Sequence, residues 1–183
     1  MKFTDTPLAG VKVVDLEMRG DERGFFARQF CEDEFKAAGL PSSFVQVNTS
    51  GSSFKGTLRG LHYQLPPYAE TKALRCIRGK IWDVALDVNP ASPTFGQWFG
   101  EELSAENHKM LVIPEGYAHA FLTLTDDVEV MYFVTNKYNP GAERGVRWND
   151  PKFSIEWPID PSVISDKDAN WPDFDAGWHW PAE

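Results

Sequence analysis

The chain has 183 residues, a formal net charge of −9, and a hydrophobic share of 42%. This length fits one domain with a sizeable core, and the hydrophobic share is typical of globular proteins. An acidic chain argues against nucleic acid as a partner, because binding to a phosphate backbone rewards clustered lysine and arginine.

The first predicted elements are a strand over residues 11–17 and a helix over residues 31–40. The helix has acidic residues in its first turn and Gly39 where a helix is expected to end. From Phe44 onward, short apolar stretches alternate with turn residues, a pattern typical of many short strands. The sequence therefore predicts an all-β protein, a β-sandwich or jelly roll, with a few short helices.

Residues 80–88, KIWDVALDV, show the clearest strand pattern. The even positions are apolar and predict a core-facing side. The odd positions include Asp83 and Asp87, which would face either solvent or a polar barrel interior. Arg78 and Gly79, just before this stretch, predict a hairpin turn to the preceding strand.

The C-terminal part, from about Trp157, is rich in proline, aspartate and tryptophan. We expect an irregular segment that wraps over a single domain spanning residues 1–183, with a short helix around residues 166–170. Cys31 and Cys76 are too few for a disulfide framework or a zinc site. We find no segment of signal-peptide type and no apolar run that could span a bilayer, so we expect a cytoplasmic protein without a membrane partner.

Two of the four histidines, His62 and His119, lie in predicted strands beside apolar residues. Each could be an ordinary buried histidine. Jelly rolls often bind a metal through several histidines and a carboxylate, but the closely spaced histidine pair of such sites is missing. We therefore predict no metal, and a metal-dependent cupin remains a minor alternative.

The stretch RGLHYQLPPYAETK carries Arg59, His62 and Lys72. Strand alternation places Arg59 and His62 on opposite faces, so a bulge near Gly60 would be needed to bring them together. The two cations could be solvated residues at a strand edge. Alternatively, they could form a pocket for a phosphate-bearing ligand, with the histidine as a base.

Two further residues have a structural and a chemical interpretation. The hydroxyl of Tyr132 could be buried by packing or could act as a general acid. Asp168, in the turn-like stretch SDKDAN, could cap a helix, or could orient a histidine and stabilise its protonated form.

Several specific motifs follow one another over roughly residues 8–170, among them GDERGFF (20–26), LRGLHYQ (58–64), RGKIWDVALDV (78–88), LSAENHKMLVIPEGYAHAF (103–121) and SDKD (165–168). Together, and in this order, they resemble the dTDP-4-dehydrorhamnose 3,5-epimerase family. The resemblance implies a cupin-type jelly roll, a homodimer, and neither a metal nor another cofactor.

The resemblance also implies a reaction, the inversion of C3 and C5 in a nucleotide-linked 4-keto-6-deoxyhexose through an enolate. By the family pattern, His62 is the base and Asp168 its partner. Lys72 stabilises the enolate, and Tyr132 is the acid. The implied substrate-binding residues are Arg23, Arg28, Gln46, Asn48, Arg59, Lys72, His119, Tyr138, Glu143 and Lys167, some of them from the partner subunit near the nucleotide.

The chain departs from the family at the nucleoside end. Arg19 stands where the family usually has an aromatic residue, and Arg28 stands where it usually has a glutamate. These changes leave the nucleobase open, so an epimerase of a GDP- or CDP-linked sugar is one alternative. A single-carbon epimerase is another. A non-catalytic sugar-nucleotide-binding cupin is disfavoured, because simple binding needs no base.

Overall fold

The computed structural model describes residues 1–179 and confirms the predicted all-β jelly roll. The first sheet consists of six antiparallel strands in the order β1 (Lys2–Asp5), β2 (Lys12–Asp15), β10 (Lys109–Ile113), β7 (Lys72–Arg78), β12 (Val128–Val134) and β5 (Gln46–Ser52). The second sheet has the order β13 (Glu143–Gly145), β6 (Thr57–Gln64), β11 (Tyr117–Thr123), β8 (Lys80–Asp87) and β9 (Trp98–Ser104), and β14 (Val163–Ile164) pairs in parallel with β6.

The main core lies between the two sheets. Leu74 and Cys76 of β7 belong to the same buried cluster as Ile81 and Ala85 of β8. Asp83 and Asp87 share this inner face with Ile81 and are fully buried. Of the two environments predicted for these aspartates, the polar interior is confirmed.

Both outer faces of the sandwich are also covered. Phe35 of the helix α1 (Glu32–Ala37) packs against the outer face of the first sheet. On the second sheet, Val84 and Leu86 are buried under Trp157 and neighbouring residues of the C-terminal part. The predicted wrap also includes residues 180–183, which lie outside the described part.

The hairpin predicted at Arg78 and Gly79 is wrong. Strands β7 and β8 do not pair with each other, because they belong to different sheets. Gly79 has a φ of 74° and carries the chain across the sandwich, where a Cβ would come within 2.6 Å of Thr125 Oγ1. A turn residue marks a change of direction, but it does not specify which strand comes to lie alongside.

The remaining elements are short. The helices α2 (Asp166–Ala169) and α3 (Ala176–His179) follow β14, and α2 confirms the short helix predicted there. The strands β3 (Arg19–Asp21) and β4 (Gly24–Phe26) form a separate two-stranded ribbon. Within residues 1–179, none of the helices has the length and apolar character needed to cross a membrane.

Candidate active site

A cleft with two lobes opens between the two sheets. The larger lobe has a volume of about 460 Å³ and the smaller about 320 Å³, and His62, Lys72 and Tyr132 line both. His62 comes from β6 in the second sheet, whereas Lys72 and Tyr132 come from β7 and β12 in the first. The cleft therefore has one wall from each sheet.

A bulge in β6 brings Arg59 and His62 to the same lobe, as predicted. His62 pairs with His119 of β11 and Arg59 pairs with Phe121, so β6 has one extra residue between these two pairs. The bulge contains Gly60, whose φ is 117°, and a Cβ there would lie 2.4 Å from the carbonyl oxygen of His119. Only glycine permits this close approach of the two strands.

His62 forms a pair with Asp168 at the wall of the larger lobe. The Nε2 atom of His62 lies 2.6 Å from Asp168 Oδ1, and the N–H of Gly60 donates to Asp168 Oδ2 at 3.2 Å. Burial acts to raise the pKa of Asp168, but the hydrogen bonds from His62, Gly60 and Ser165 outweigh it and lower the pKa. The carboxylate is therefore charged at neutral pH and can stabilise a protonated imidazole.

The structure distinguishes between the two interpretations of Asp168, as a helix cap and as the partner of a histidine. The cap of α2 is Ser165, whose hydroxyl accepts a hydrogen bond from the N–H of Asp168. The Asp168 side chain does not itself cap the helix and instead pairs with His62. The capping hydroxyl fixes the helix start, and this places the carboxylate.

Lys72 forms an ion pair with Glu70 in the cleft, and both side chains are largely buried. Tyr132, on the neighbouring strand, has a pKa that is raised by burial and by the charge of Glu70, although Arg59 opposes the shift. The phenol is therefore protonated at neutral pH, as a general acid must be. Glu70 was not predicted as a site residue, because its position two residues before Lys72 carries no recognisable signal in the sequence.

A second histidine–aspartate pair lies beside the first. His119 Nε2 is 2.7 Å from Asp83 Oδ1, and the Asp83 side chain is fully buried. Burial raises the pKa of Asp83, and His119 acts in the opposite direction. Asp83 was also not predicted as a site residue, although strand alternation had placed it on a possible polar interior.

The predicted binding residues divide between the two lobes. Arg59 lines the larger lobe and donates to two neutral acceptors, Ser52 Oγ at 3.1 Å and the Gly51 carbonyl at 2.9 Å. The smaller lobe is lined by Gln46, Asn48, Tyr138 and Glu143.

Lys167 contacts a residue that lines the smaller lobe. Its ammonium group forms an ion pair with Glu143 at 2.6 Å, and the hydroxyl of Tyr138 donates to the same carboxylate at 3.0 Å. The carboxylate of Glu143 therefore brings Lys167 and Tyr138 together.

Arg23 and Arg28 lie away from the cleft of their own chain. Arg23 forms an ion pair with Asp21 on the exposed ribbon, and Arg28 contacts Glu34 at 3.1 Å. Arg19 and Arg28 line a small depression near the N-terminus. Among residues 1–179, no three histidine, cysteine or acidic side chains are grouped so that they could hold a metal ion.

The chain matches a known protein family and its members along most of its length. The family model of dTDP-4-dehydrorhamnose 3,5-epimerase matches residues 5–176. The chain is 47% identical over 175 residues to the dTDP-4-dehydrorhamnose 3,5-epimerase of Shigella flexneri, covering 95% of this chain and 96% of that protein.

Two solved structures are similar along nearly the whole chain. One is the Bacillus anthracis dTDP-4-dehydrorhamnose 3,5-epimerase with TDP and PPi bound, at 41% identity and a TM-score of 0.91, covering 94% of this chain and 99% of that one. The other is a Legionella pneumophila epimerase in complex with dTDP-4-keto-L-rhamnose, at 39% identity and a TM-score of 0.86, covering 92% and 89%. The resemblance found in the sequence is confirmed, and the chain belongs to the dTDP-4-dehydrorhamnose 3,5-epimerase family.

Proposed function

We propose that the protein inverts C3 and C5 of a dTDP-linked 4-keto-6-deoxyhexose. The observation that carries this proposal is the placement of His62, paired with Asp168, in the same cleft as Tyr132 and Lys72. The base and the acid come from different sheets and so line opposite walls of the cleft. This arrangement suits removal of a proton from one face of a sugar ring and its return to the other.

The reaction uses the acidity of the two carbons beside the C4 ketone. His62 removes a proton from C3 or C5, and Asp168 stabilises the imidazolium that forms. The negative charge of the enolate rests on O4, where the ammonium of Lys72 stabilises it. The hydroxyl of Tyr132 then donates a proton to the opposite face of the same carbon, and exchange with solvent restores both groups.

The nucleotide would extend from the larger lobe along the cleft. Arg59 is held by neutral acceptors, so its charge is available to a diphosphate oxygen. Gln46, Asn48 and Tyr138 provide polar and aromatic contacts in the smaller lobe. One of the two similar structures has TDP bound and the other a dTDP-sugar, which supports thymidine as the nucleoside.

The proposal includes a homodimer in which the β3–β4 ribbon reaches the partner's cleft. Phe25 and Phe26 on this ribbon are 58% and 63% exposed. Exposed apolar side chains of this size favour contact with the surface of a second protein chain. Arg23 and Arg28 would then contact the nucleotide of the partner. Sedimentation velocity should show a dimer, and Phe26→Asp should weaken it.

We also propose a cytoplasmic location. Cys31 and Cys76 are both free thiols, which a reducing compartment preserves.

Deuterium wash-in tests the proposed chemistry. The protein is incubated in D₂O with the dTDP-, GDP- and CDP-linked 4-keto-6-deoxyglucose, and exchange at C3 and C5 is followed by NMR. We expect exchange at both carbons of the dTDP-sugar. Exchange at C3 alone would contradict the two-carbon reaction. No exchange with any of the three sugar nucleotides would contradict the epimerase and favour a non-catalytic binding protein.

The base assignment needs a matched pair of variants. His62→Ala should abolish exchange at both carbons. His108→Ala removes a histidine that contacts Arg75 outside the cleft, and it should exchange like the wild type. If His62→Ala exchanges at the wild-type rate, His62 is not the base.

A further inference from the structure

The segment before β7 places a carboxylate, that of Glu70, inside the cleft. Glu70 lines the smaller lobe together with His62, Lys72 and Tyr132. Its side chain is 11% exposed, and its partner in the ion pair, Lys72, is 15% exposed. An acid at this depth is unexpected in a cleft that would hold an anionic substrate and form an enolate, so its position requires a reason.

The backbone around Glu70 is fixed from both sides. The Asn136 side chain donates to the carbonyls of Pro67 at 3.0 Å and Ala69 at 3.3 Å. On the other side of Glu70, the N–H of Thr71 donates to Thr135 Oγ1 at 2.8 Å. These contacts come from the end of β12, the strand that carries Tyr132, and they hold the carboxylate in a defined place relative to that phenol.

We propose that Glu70 is a positioning residue that holds Lys72 in line with the enolate oxygen and extends the alkaline range over which Tyr132 keeps its proton. The inference rests on the proposed function and adds a residue to it. The ion pair restricts the flexible lysine side chain, which would otherwise have to be ordered when the substrate binds. The negative charge also favours the protonated form of the groups beside it, so Tyr132 keeps its proton to a higher pH than burial alone would allow.

The charge around Tyr132 is balanced between two residues. Burial is the largest cause of the raised pKa of Tyr132, the charge of Glu70 raises it further, and Arg59 lowers it. Arg59 is needed for the diphosphate, so an acid without a counteracting carboxylate would lose its proton more readily. Glu70 therefore offsets the effect of a cation that substrate binding requires.

An absorbance titration of Tyr132 tests this inference without depending on activity. The phenolate absorbance is measured against pH for the wild type and for Tyr132→Phe, and the difference gives the titration of Tyr132 alone. The same difference is measured in the Glu70→Gln background. Glutamine keeps the size of the side chain and an oxygen that can accept from Lys72, but it removes the charge.

We expect the Tyr132 titration to move to lower pH by roughly half a unit to one unit in Glu70→Gln. The alkaline limb of the inversion rate should move in the same direction. Glu70→Asp retains the charge and should leave the titration within about 0.3 units of wild type, although its shorter side chain should slow inversion. Glu101, on β9, forms an ion pair with Lys109 of β10 away from the cleft. Glu101→Gln should therefore shift neither the Tyr132 titration nor the pH dependence of the inversion rate.

An unmoved Tyr132 titration in Glu70→Gln would overturn the proposal, whether or not the rate falls. A fall in rate alone would indicate only a structural role for Glu70. An equal shift in Glu101→Gln would also overturn it, because the effect would then not be local. A failure of the proposed epimerase reaction would instead be seen in the wild type, as an absence of deuterium exchange.

Discussion

Replacing Asp168 with asparagine tests the charge that supports His62. The change keeps the shape of the side chain and its oxygen acceptor for the N–H of Gly60, but it removes the negative charge. Without that charge, the imidazolium formed by proton abstraction loses its stabilising partner. The rate of deuterium exchange should therefore fall, while substrate binding should change little.

The expected size of this effect follows from the geometry of the pair. His62 Nε2 is 2.6 Å from Asp168 Oδ1, and the charge centres of such a pair are about 4 Å apart. At an effective dielectric constant of about 20, two unit charges at this separation attract each other by about 4 kcal/mol. The His62 side chain is 32% exposed, so solvent screens part of this attraction. A loss of about 3 kcal/mol corresponds to a rate lower by roughly 10²-fold.

The assay is the initial rate of deuterium incorporation at C3, measured at saturating and at low substrate. Asp166→Asn is the matched control, because Asp166 is an exposed aspartate on the same short helix. Thermal unfolding of both variants confirms that α2 is intact. If Asp168→Asn exchanges within threefold of the wild type, the charge of Asp168 does not support the base and this reasoning fails.

Three further changes probe other parts of the cleft and fold. Tyr132→Phe should reduce the rate of inversion by about 10²-fold or more and reduce the rate of deuterium exchange much less, since it removes reprotonation from the opposite wall. If NMR shows that the two rates fall equally, the assignment of Tyr132 as the acid is wrong. Gly60→Ala should destabilise the protein by more than about 2 kcal/mol, because the alanine Cβ would come within 2.6 Å of the Ala120 backbone at a residue whose φ is 117°. An unchanged free energy of unfolding in denaturant would refute this. His179 is buried, and burial first, then Arg144, lowers its pKa to about 4. The unfolded chain therefore takes up a proton on His179 between about pH 6.5 and 4 that the folded chain does not, and stability should fall by about 2–3 kcal/mol over this window. His179→Gln should flatten that slope, and an unchanged slope would show that another group causes it.

The sequence was most informative where local pattern and local structure coincide. Periodicity and turn residues predicted an all-β sandwich, and α1 formed where acidic residues and a glycine indicated the start and end of a helix. The requirement for a bulge near Gly60 was also deduced from alternation, because two functional side chains three residues apart cannot otherwise share a face. These inferences depend on neighbours in sequence, which a single chain displays directly.

The failures depend on contacts between distant segments. The hairpin at Gly79 was wrong because the pairing of β7 and β8 is decided by the whole jelly-roll topology. Glu70 was missed because its place in the cleft depends on Thr135 and Asn136, which fix the backbone on either side of it and lie about 65 residues later in the chain. Asp83 could be placed on an inner face, but its partner His119 is 36 residues away in the chain.

The presence of two histidine–aspartate pairs side by side raises the question of which histidine acts as the base. The His119 side chain is 13% exposed and that of Asp83 is 0%, whereas the His62 side chain is 32% exposed. Burial raises the pKa of Asp83, but hydrogen bonds lower the pKa of Asp168 despite burial. A base needs access to the substrate and a charged partner when it takes up the proton. His62 has both, so we assign the proposed acid–base role to it, and His119 is better suited to donate a hydrogen bond from a fixed position.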